Sequence, residues 1–186
     1  IGDFSRTGYT FTGWTLTKSG GGNANGSVND LSKVYGVLKH PVDIGSGGSS
    51  SGLAGGGAIH LVVTGDATVD GTLAAQPTQG NTGNNYHGAG GSIYLAAASV
   101  NGSGTISAAG YGYTSGTRQD GAGGRVAVVC TTATTLAFPE ANLRCNGCVG
   151  GYGRTSGGGT IFVKTASQQN GTLIVANAFP DTFSYV

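Results

Sequence analysis

Charged side chains are scarce in this chain of 186 residues. Asp, Glu, Lys and Arg make up 9% of the sequence, and the formal net charge is +1. Nucleic acids and anionic membranes are bound by clustered Lys and Arg, and the sequence contains no such cluster. No apolar run approaches the roughly 20 residues that span a bilayer. We therefore expect neither a nucleic-acid partner nor insertion into a membrane.

Methionine is absent altogether, and only three cysteines are present. A chain without methionine is expected to be a processed product, and removal of a signal peptide is the simplest route. The low charge and the many hydroxyl and amide side chains favour an extracellular or cell-surface location. Asn25, Asn101 and Asn170 begin Asn-x-Ser/Thr sequons and are candidate glycosylation sites.

Residues that carry catalytic chemistry are also few. His40, His60 and His87 occur in unrelated contexts, outside any metal-binding spacing. Asp66 and Asp70 form the one close acidic pair inside a repeat, and we interpret them as turn residues because a glycosidase or calcium site needs further groups. No nucleophile elbow or Walker-type loop is present. We expect no enzymatic activity, no metal and no cofactor.

Glycine, in contrast, supplies 38 of the 186 residues and recurs with a period. A glycine cluster opens a short alternating strand four times, and the anchor glycines are Gly57, Gly91, Gly124 and Gly159. Self-similarity at a fixed period of about 34 residues is typical of stacked repeats, because one unit cannot bury its apolar face alone.

Strict alternation within these strands predicts one inward face. A second strand, usually opened by Gly-Thr, follows in each unit, and its threonines are predicted to form an outward column; ice binding would require that column to be complete. The predicted inward residues are Ile59, Leu61, Val63, Ile93, Leu95, Val126, Val128, Ile161 and Val163, and the column is Thr72, Thr105, Thr135 and Thr172.

These patterns predict an all-β fold, specifically a glycine-rich β-solenoid in the form of a parallel β-helix. The alternative is a layered β-sandwich with polyglycine segments. We expect a single domain over residues 1–186. Residues 1–54 would be an N-terminal capping or interaction segment, 55–175 the four repeats, and 176–186 a C-terminal tail.

Two of the repeats resemble a known class. Residues 55–63 with 69–75, and 90–95 with 102–108, resemble the glycine-rich repeats of large secreted bacterial surface proteins of the adhesin or autotransporter-passenger type. The resemblance implies a parallel β-helix and carries no catalytic signature. The third unit departs from it, because residues 130–136 lack the Gly-Thr pair.

The cysteines lie close together in the sequence. Cys130 ends an inward-facing strand, and Cys145 and Cys148 lie in the loop that follows. In an oxidising compartment two of the three should pair, and a bond from Cys130 to either Cys145 or Cys148 would fix that loop.

Residues 9–17 form an alternating strand outside the repeat register, with apolar residues Tyr9, Phe11, Trp14 and Leu16. We interpret this strand as an assembly strand that pairs with a neighbouring subunit. The leading hypothesis is therefore an extracellular structural protein that forms a homopolymeric filament or surface layer. The alternative is an adhesin or carbohydrate-binding module that contacts surface glycans through Tyr86, Tyr111, Tyr113 and Tyr152.

Overall fold

A computed structural model describes residues 36–48, 54–77, 87–111, 121–148, 156–176 and 183–185. These residues form strands and one short 3-10 helix, Glu140–Asn142. The strands are β1 Ala58–Val62, β2 Ala67–Thr68, β3 Thr72–Ala74, β4 Ser92–Ala97, β5 Val100–Asn101, β6 Thr105–Ser107, β7 Arg125–Cys130, β8 Leu143–Arg144, β9 Thr160–Lys164, β10 Thr172–Ala176 and β11 Phe183–Tyr185.

The strands form three sheets. The main sheet has the order β1-β4-β7-β9-β10-β11, and two small sheets contain β2-β5 and β3-β6-β8. Each of the first two units contributes one strand to every sheet, and the third contributes β7 and β8. Neighbouring strands of β1 to β9 pair in parallel.

The register of the main sheet confirms the predicted inward rows. Ile59, Ile93, Val126 and Ile161 lie side by side, and the next inward row runs Leu61, Leu95, Val128 and Val163. The side chains of β4, β7 and β9 in these rows are buried. Side chains from the small sheets, including Val100, Ile106, Phe138 and Leu143, complete this core.

The glycine segments that precede the main-sheet strands pack on one another through their backbones. The amide of Gly90 donates to the carbonyl of Ala122, and the amide of Gly124 donates to that of Ala108. A Cβ atom on Gly124 would lie 2.6 Å from the carbonyl carbon of Gly90 and closer still to the carbonyl oxygen of Gly91. Only a residue without a side chain permits this approach.

The predicted fold class, a parallel β-solenoid built from four stacked repeats, is wrong. The main sheet is mixed, because β10 pairs antiparallel with β9 and β11 pairs antiparallel with β10. The Gly-Thr strand of the fourth unit therefore folds back as a hairpin beside β9 and does not extend the small sheet beyond β8. Gly171 opens this hairpin with φ +83°, which allows the tight reversal.

The predicted threonine column fails for the same reason. Thr72 and Thr105 are partners in register. Thr172, however, lies opposite Val163 in the hairpin. Its hydroxyl accepts a hydrogen bond from the side-chain amide of Gln168. A complete array of regularly spaced threonines, which ice binding would need, is not formed by the described strands.

Residues 36–48, which we call the cover segment, lie over the outer face of the main sheet. Pro41 is fully buried there. The hydroxyl of Ser92 donates to the carbonyl of Asp43 at 2.6 Å, and the amide of Gly45 donates to the carbonyl of Gly56 at 2.7 Å. The apolar outer residues Ala127 and Phe162 are 0% and 3% exposed. Both faces of the main sheet are therefore largely covered.

The glycine packing yields a test with a matched control. Gly124→Ala should lower the free energy of unfolding by about 3 kcal/mol or more, because the new methyl group overlaps backbone that cannot move without disturbing the next unit. Gly57→Ala places a methyl group in open space at a backbone conformation that alanine accepts, and should change stability by less than about 1 kcal/mol. Denaturant unfolding of both variants measures the difference. Equal effects would contradict the packing described.

Candidate functional site

The first unit presents a free edge in all three sheets. The strands β1, β2 and β3 each stand at the end of their sheet, and the described residues pair with only one side of each. Their amides bond to the second unit: Val63 to the carbonyl of Ala96, Ala67 to that of Ser99, and Ala75 to that of Ser107. Within the described ranges these three strands therefore form an edge without a partner on its outer side, and we call it the first-unit edge.

Apolar residues of the first-unit edge are more exposed than their partners in the next unit. Leu61 is 37% exposed, whereas Leu95, beside it in register, is 1% exposed. Ile59 and Leu73 are half-buried, whereas their partners Ile93 and Ile106 are fully buried. The inward rows of the core thus reach the surface at this edge.

The exposed large apolar side chains of the described residues lie in two places. One group belongs to β1 and the residue after it, and the other belongs to the cover segment, which packs beside β1. These residues are Leu61, Val62, Val63, Val37, Val42 and Ile44. An edge strand with exposed apolar residues and unpaired backbone groups is a template for strand addition, and soluble monomers usually protect such edges.

Asp66 and Asp70, which the sequence suggests are turn residues, make bonds between units. The carboxylate of Asp66 accepts a hydrogen bond from the hydroxyl of Ser99 at 2.6 Å. The carboxylate of Asp70 accepts from the amide of Ser103 at 2.9 Å and from its hydroxyl at 3.2 Å. Both pairs are 33 residues apart, so the repeat period itself could have revealed them. These bonds fix the edge unit to its neighbour.

The histidines, which occur in unrelated contexts in the sequence, divide into a pair and a single residue in the structure. His40 of the cover segment and His60 of β1 bring their Nε2 atoms to 2.7 Å. The ring of His40 also stacks on Tyr94 of β4, with ring centres 4.1 Å apart. His87 is buried, its Nδ1 has no hydrogen-bond partner among the described residues, and its ring meets Tyr111 edge-on. Sequence reasoning missed the His40–His60 contact because the two residues are 20 positions apart.

The cysteines do not form a disulfide in the described structure, and Cys130 and Cys145 are buried free thiols. Cys145 bonds to the backbone of Ala108 and Val126. Cys130 is four residues beyond Val126 on the extended strand β7, which places it about 13 Å away along the strand. Disulfide-bonded Cα atoms are usually within about 7 Å of each other, so this arrangement disfavours the pairing of Cys130 with Cys145.

Burial raises the pKa of both of these thiols, and the effect is stronger at Cys145. In each case desolvation of the thiolate outweighs the hydrogen bonds from the backbone. Reactive cysteines have a lowered pKa, so these two behave as core residues and not as nucleophiles.

Several predicted site residues lie outside the described part of the chain. Of the predicted residues that are described, Tyr111 packs against His87, Asn101 accepts a hydrogen bond from Thr68 at 2.7 Å, and Asn170 is exposed. Those outside are the assembly-strand residues Tyr9, Phe11, Trp14 and Leu16, the loop residues Tyr86, Tyr113 and Tyr152, and Asn25.

Within the described ranges, no three His, Cys, Asp or Glu side chains converge as a metal site would require. Nor does any helix there have the length and apolar character needed to cross a bilayer. Comparison with protein-family models, with curated proteins and with solved structures finds no match. The first-unit edge is therefore the strongest candidate for a functional surface on physical grounds.

The buried thiol of Cys145 yields a pH test. Its raised pKa means that the folded protein keeps this proton at a pH where the unfolded chain loses it. The contribution of this thiol to the free energy of unfolding is therefore constant below about pH 8.5 and falls as pH rises above it, by at most about 1.4 kcal/mol per pH unit. Cys145→Ala should show a shallower decline in denaturant unfolding between pH 8 and about 10. Parallel curves for the two proteins would contradict the burial of this thiol.

Proposed function

We propose that this protein is an extracellular structural protein that assembles into a filament or surface layer. Its acceptor surface is the first-unit edge, above all β1. Its donor is the strand at residues 9–17 of a neighbouring subunit. Chains joined in this way add one to the next and do not close into a ring unless the angle between subunits happens to fit.

The observation that carries the proposal is the incomplete burial of the first unit. Leu61 is 37% exposed at a register position where Leu95 is 1% exposed. An added strand would bury Leu61 and would pair with the free backbone groups of β1. Strand addition of this kind obtains affinity from main-chain hydrogen bonds and specificity from alternate side chains.

The two ends of the main sheet differ, and this difference supports a directional assembly. Among the described residues β1 ends the sheet with exposed apolar side chains, whereas at the opposite end the hairpin β9–β10 and the strand β11 extend the sheet in the antiparallel direction. The strands β5 and β8 also end their sheets, but Val100 and Leu143 there are buried. The first-unit edge is therefore the distinct acceptor.

The composition of residues 9–17 suits a donor strand. Four large apolar residues are each followed by a threonine, and the stretch contains no charge. Threonine and aromatic residues favour extended structure. Because Gly13 shifts the alternation, Tyr9 and Phe11 lie on one face of such a strand and Trp14 and Leu16 on the other, so one of these pairs can face the row of Ile59 and Leu61.

Two variants test the proposal. Deletion of residues 1–19 removes the donor, and Leu61→Lys places a charge on the acceptor, where lysine is known to block edge pairing. Each should give folded protein that sediments as a monomer, whereas the unmodified chain forms polymers whose mass rises with concentration. Analytical ultracentrifugation and negative-stain microscopy read out the assembly.

Val42→Lys is the matched control. Val42 is also a large apolar residue with an exposed side chain, 53% of whose surface is accessible, but it lies on the cover segment and not on β1. It should assemble like the parent protein. Mixing the deletion variant with Leu61→Lys should restore limited pairing, since each retains the half that the other lacks. Normal polymers from both single variants would rule the edge out as the assembly surface.

A further inference from the structure

The cover segment is tied to β1 by one side-chain hydrogen bond between two histidines. The Nε2 atoms of His40 and His60 are 2.7 Å apart, and their ring planes differ by 10°. The ring centres are 4.9 Å apart. This separation is close to the Nε2–Nε2 distance plus the distance from centre to nitrogen within each ring, which is the value for two rings that lie end to end. The two imidazoles therefore meet edge to edge, with one Nε2 aimed at the other.

A bond of this geometry needs one hydrogen between the two nitrogen atoms. One Nε2 must carry the proton and donate it, and the other must offer a lone pair. Addition of one proton elsewhere on the donor ring keeps the bond. Addition of a proton to each ring leaves two N–H groups and two positive charges facing each other, so the bond is replaced by repulsion.

Both imidazoles are exposed, so protons from solvent reach them directly. The other charged groups on the elements packed here are Lys39 and Asp43 of the cover segment, Arg125 of β7, which lies against Gly36, and Lys164 of β9. Tyr94 is the titratable residue of β4 and contacts both rings. Three of these groups are positive and one is negative.

The remaining backbone and hydroxyl bonds of the cover segment are at its other end. The carbonyls of Asp43 and Ser46 accept from Ser92 and Ala89, and the amide of Gly45 donates to Gly56. The contacts of residues 36–42 are instead made by side chains: the His40–His60 bond, the stacking of His40 on Tyr94, the burial of Pro41, Lys39 over the ring of Phe162 at 6.0 Å, and Arg125 against Gly36. Loss of the histidine bond therefore acts on one half of the segment.

We infer that His40 and His60 form an acid-sensitive latch: below the pH at which both imidazoles carry a proton, residues 36–42 leave the main sheet and uncover Tyr94 and Phe162. Any effect of the latch on assembly rests on the proposed function, because β1 carries the latch residue His60 and is also the proposed acceptor strand.

Hydroxyl-radical footprinting of dilute, monomeric full-length protein at pH 7.5 and 4.5 tests the latch. At the lower pH, oxidation of Tyr94 and Phe162 should rise several-fold, since Phe162 is only 3% exposed beneath Lys39. Oxidation of Phe138, buried at 2% in the core away from the segment, should stay constant. Constancy at Phe138 separates opening of the latch from general unfolding.

His60→Gln is the matched variant. A glutamine amide can donate to or accept from His40 in either protonation state and carries no charge, so oxidation of Phe162 should no longer depend on pH. His40→Phe, which retains a ring on Tyr94 without an imidazole, serves if His60→Gln does not fold, and should also lose the pH dependence.

The latch would be overturned if Phe162 oxidation did not rise at low pH in the unmodified protein, or if it rose equally in His60→Gln. All of these oxidation measurements are made on the monomeric protein and do not require assembly. A protein that never polymerises can still show the latch, and a polymer with unchanged Phe162 oxidation would refute the latch while leaving the assembly proposal intact.

Discussion

The close backbone contact between glycine segments is the constraint on which the rest of the structure depends. Gly56, Gly90 and Gly123 hold positions where a Cβ atom would overlap backbone atoms of other segments. This contact sets the spacing between units and thereby the register of the main sheet, in which residues 33 to 35 positions apart lie side by side. At these described positions glycine is therefore a packing requirement.

The sequence predicted the repeat, the glycine-led strands and the inward rows, because alternation and a fixed period are local signals. Its second strand for the third unit, expected at Thr135, was wrong, because Thr135 lies outside the described strands and β8 is Leu143–Arg144. It did not predict the reversal at Gly171, because the fourth Gly-Thr strand looks like the others and its antiparallel partner is chosen by tertiary packing. The His40–His60 contact was not predicted either, since it depends on where the cover segment crosses the sheet. The bonds from Asp66 and Asp70 to serines 33 positions later could have been found by aligning the units.

The exposure of the first-unit edge is also a consequence of the repeat. A repeated unit buries its apolar row only when a neighbour lies on each side, so the first unit exposes Leu61 where the second buries Leu95. The fourth unit avoids this exposure by folding β10 back on β9, and Ile174 of β10 is buried as a result. Within the described part of the chain, the first-unit edge thus carries both exposed apolar residues of the repeats and His60 of the histidine pair.

The most direct test of this account is electron cryomicroscopy of the assembled protein. We predict a polymer with one subunit orientation along its axis, in which density for an extended strand from a neighbouring subunit lies beside β1 and covers Leu61. A polymer whose contacts leave β1 uncovered, or a protein that remains monomeric at every concentration with β1 exposed, would contradict the claim that the first-unit edge is an assembly surface.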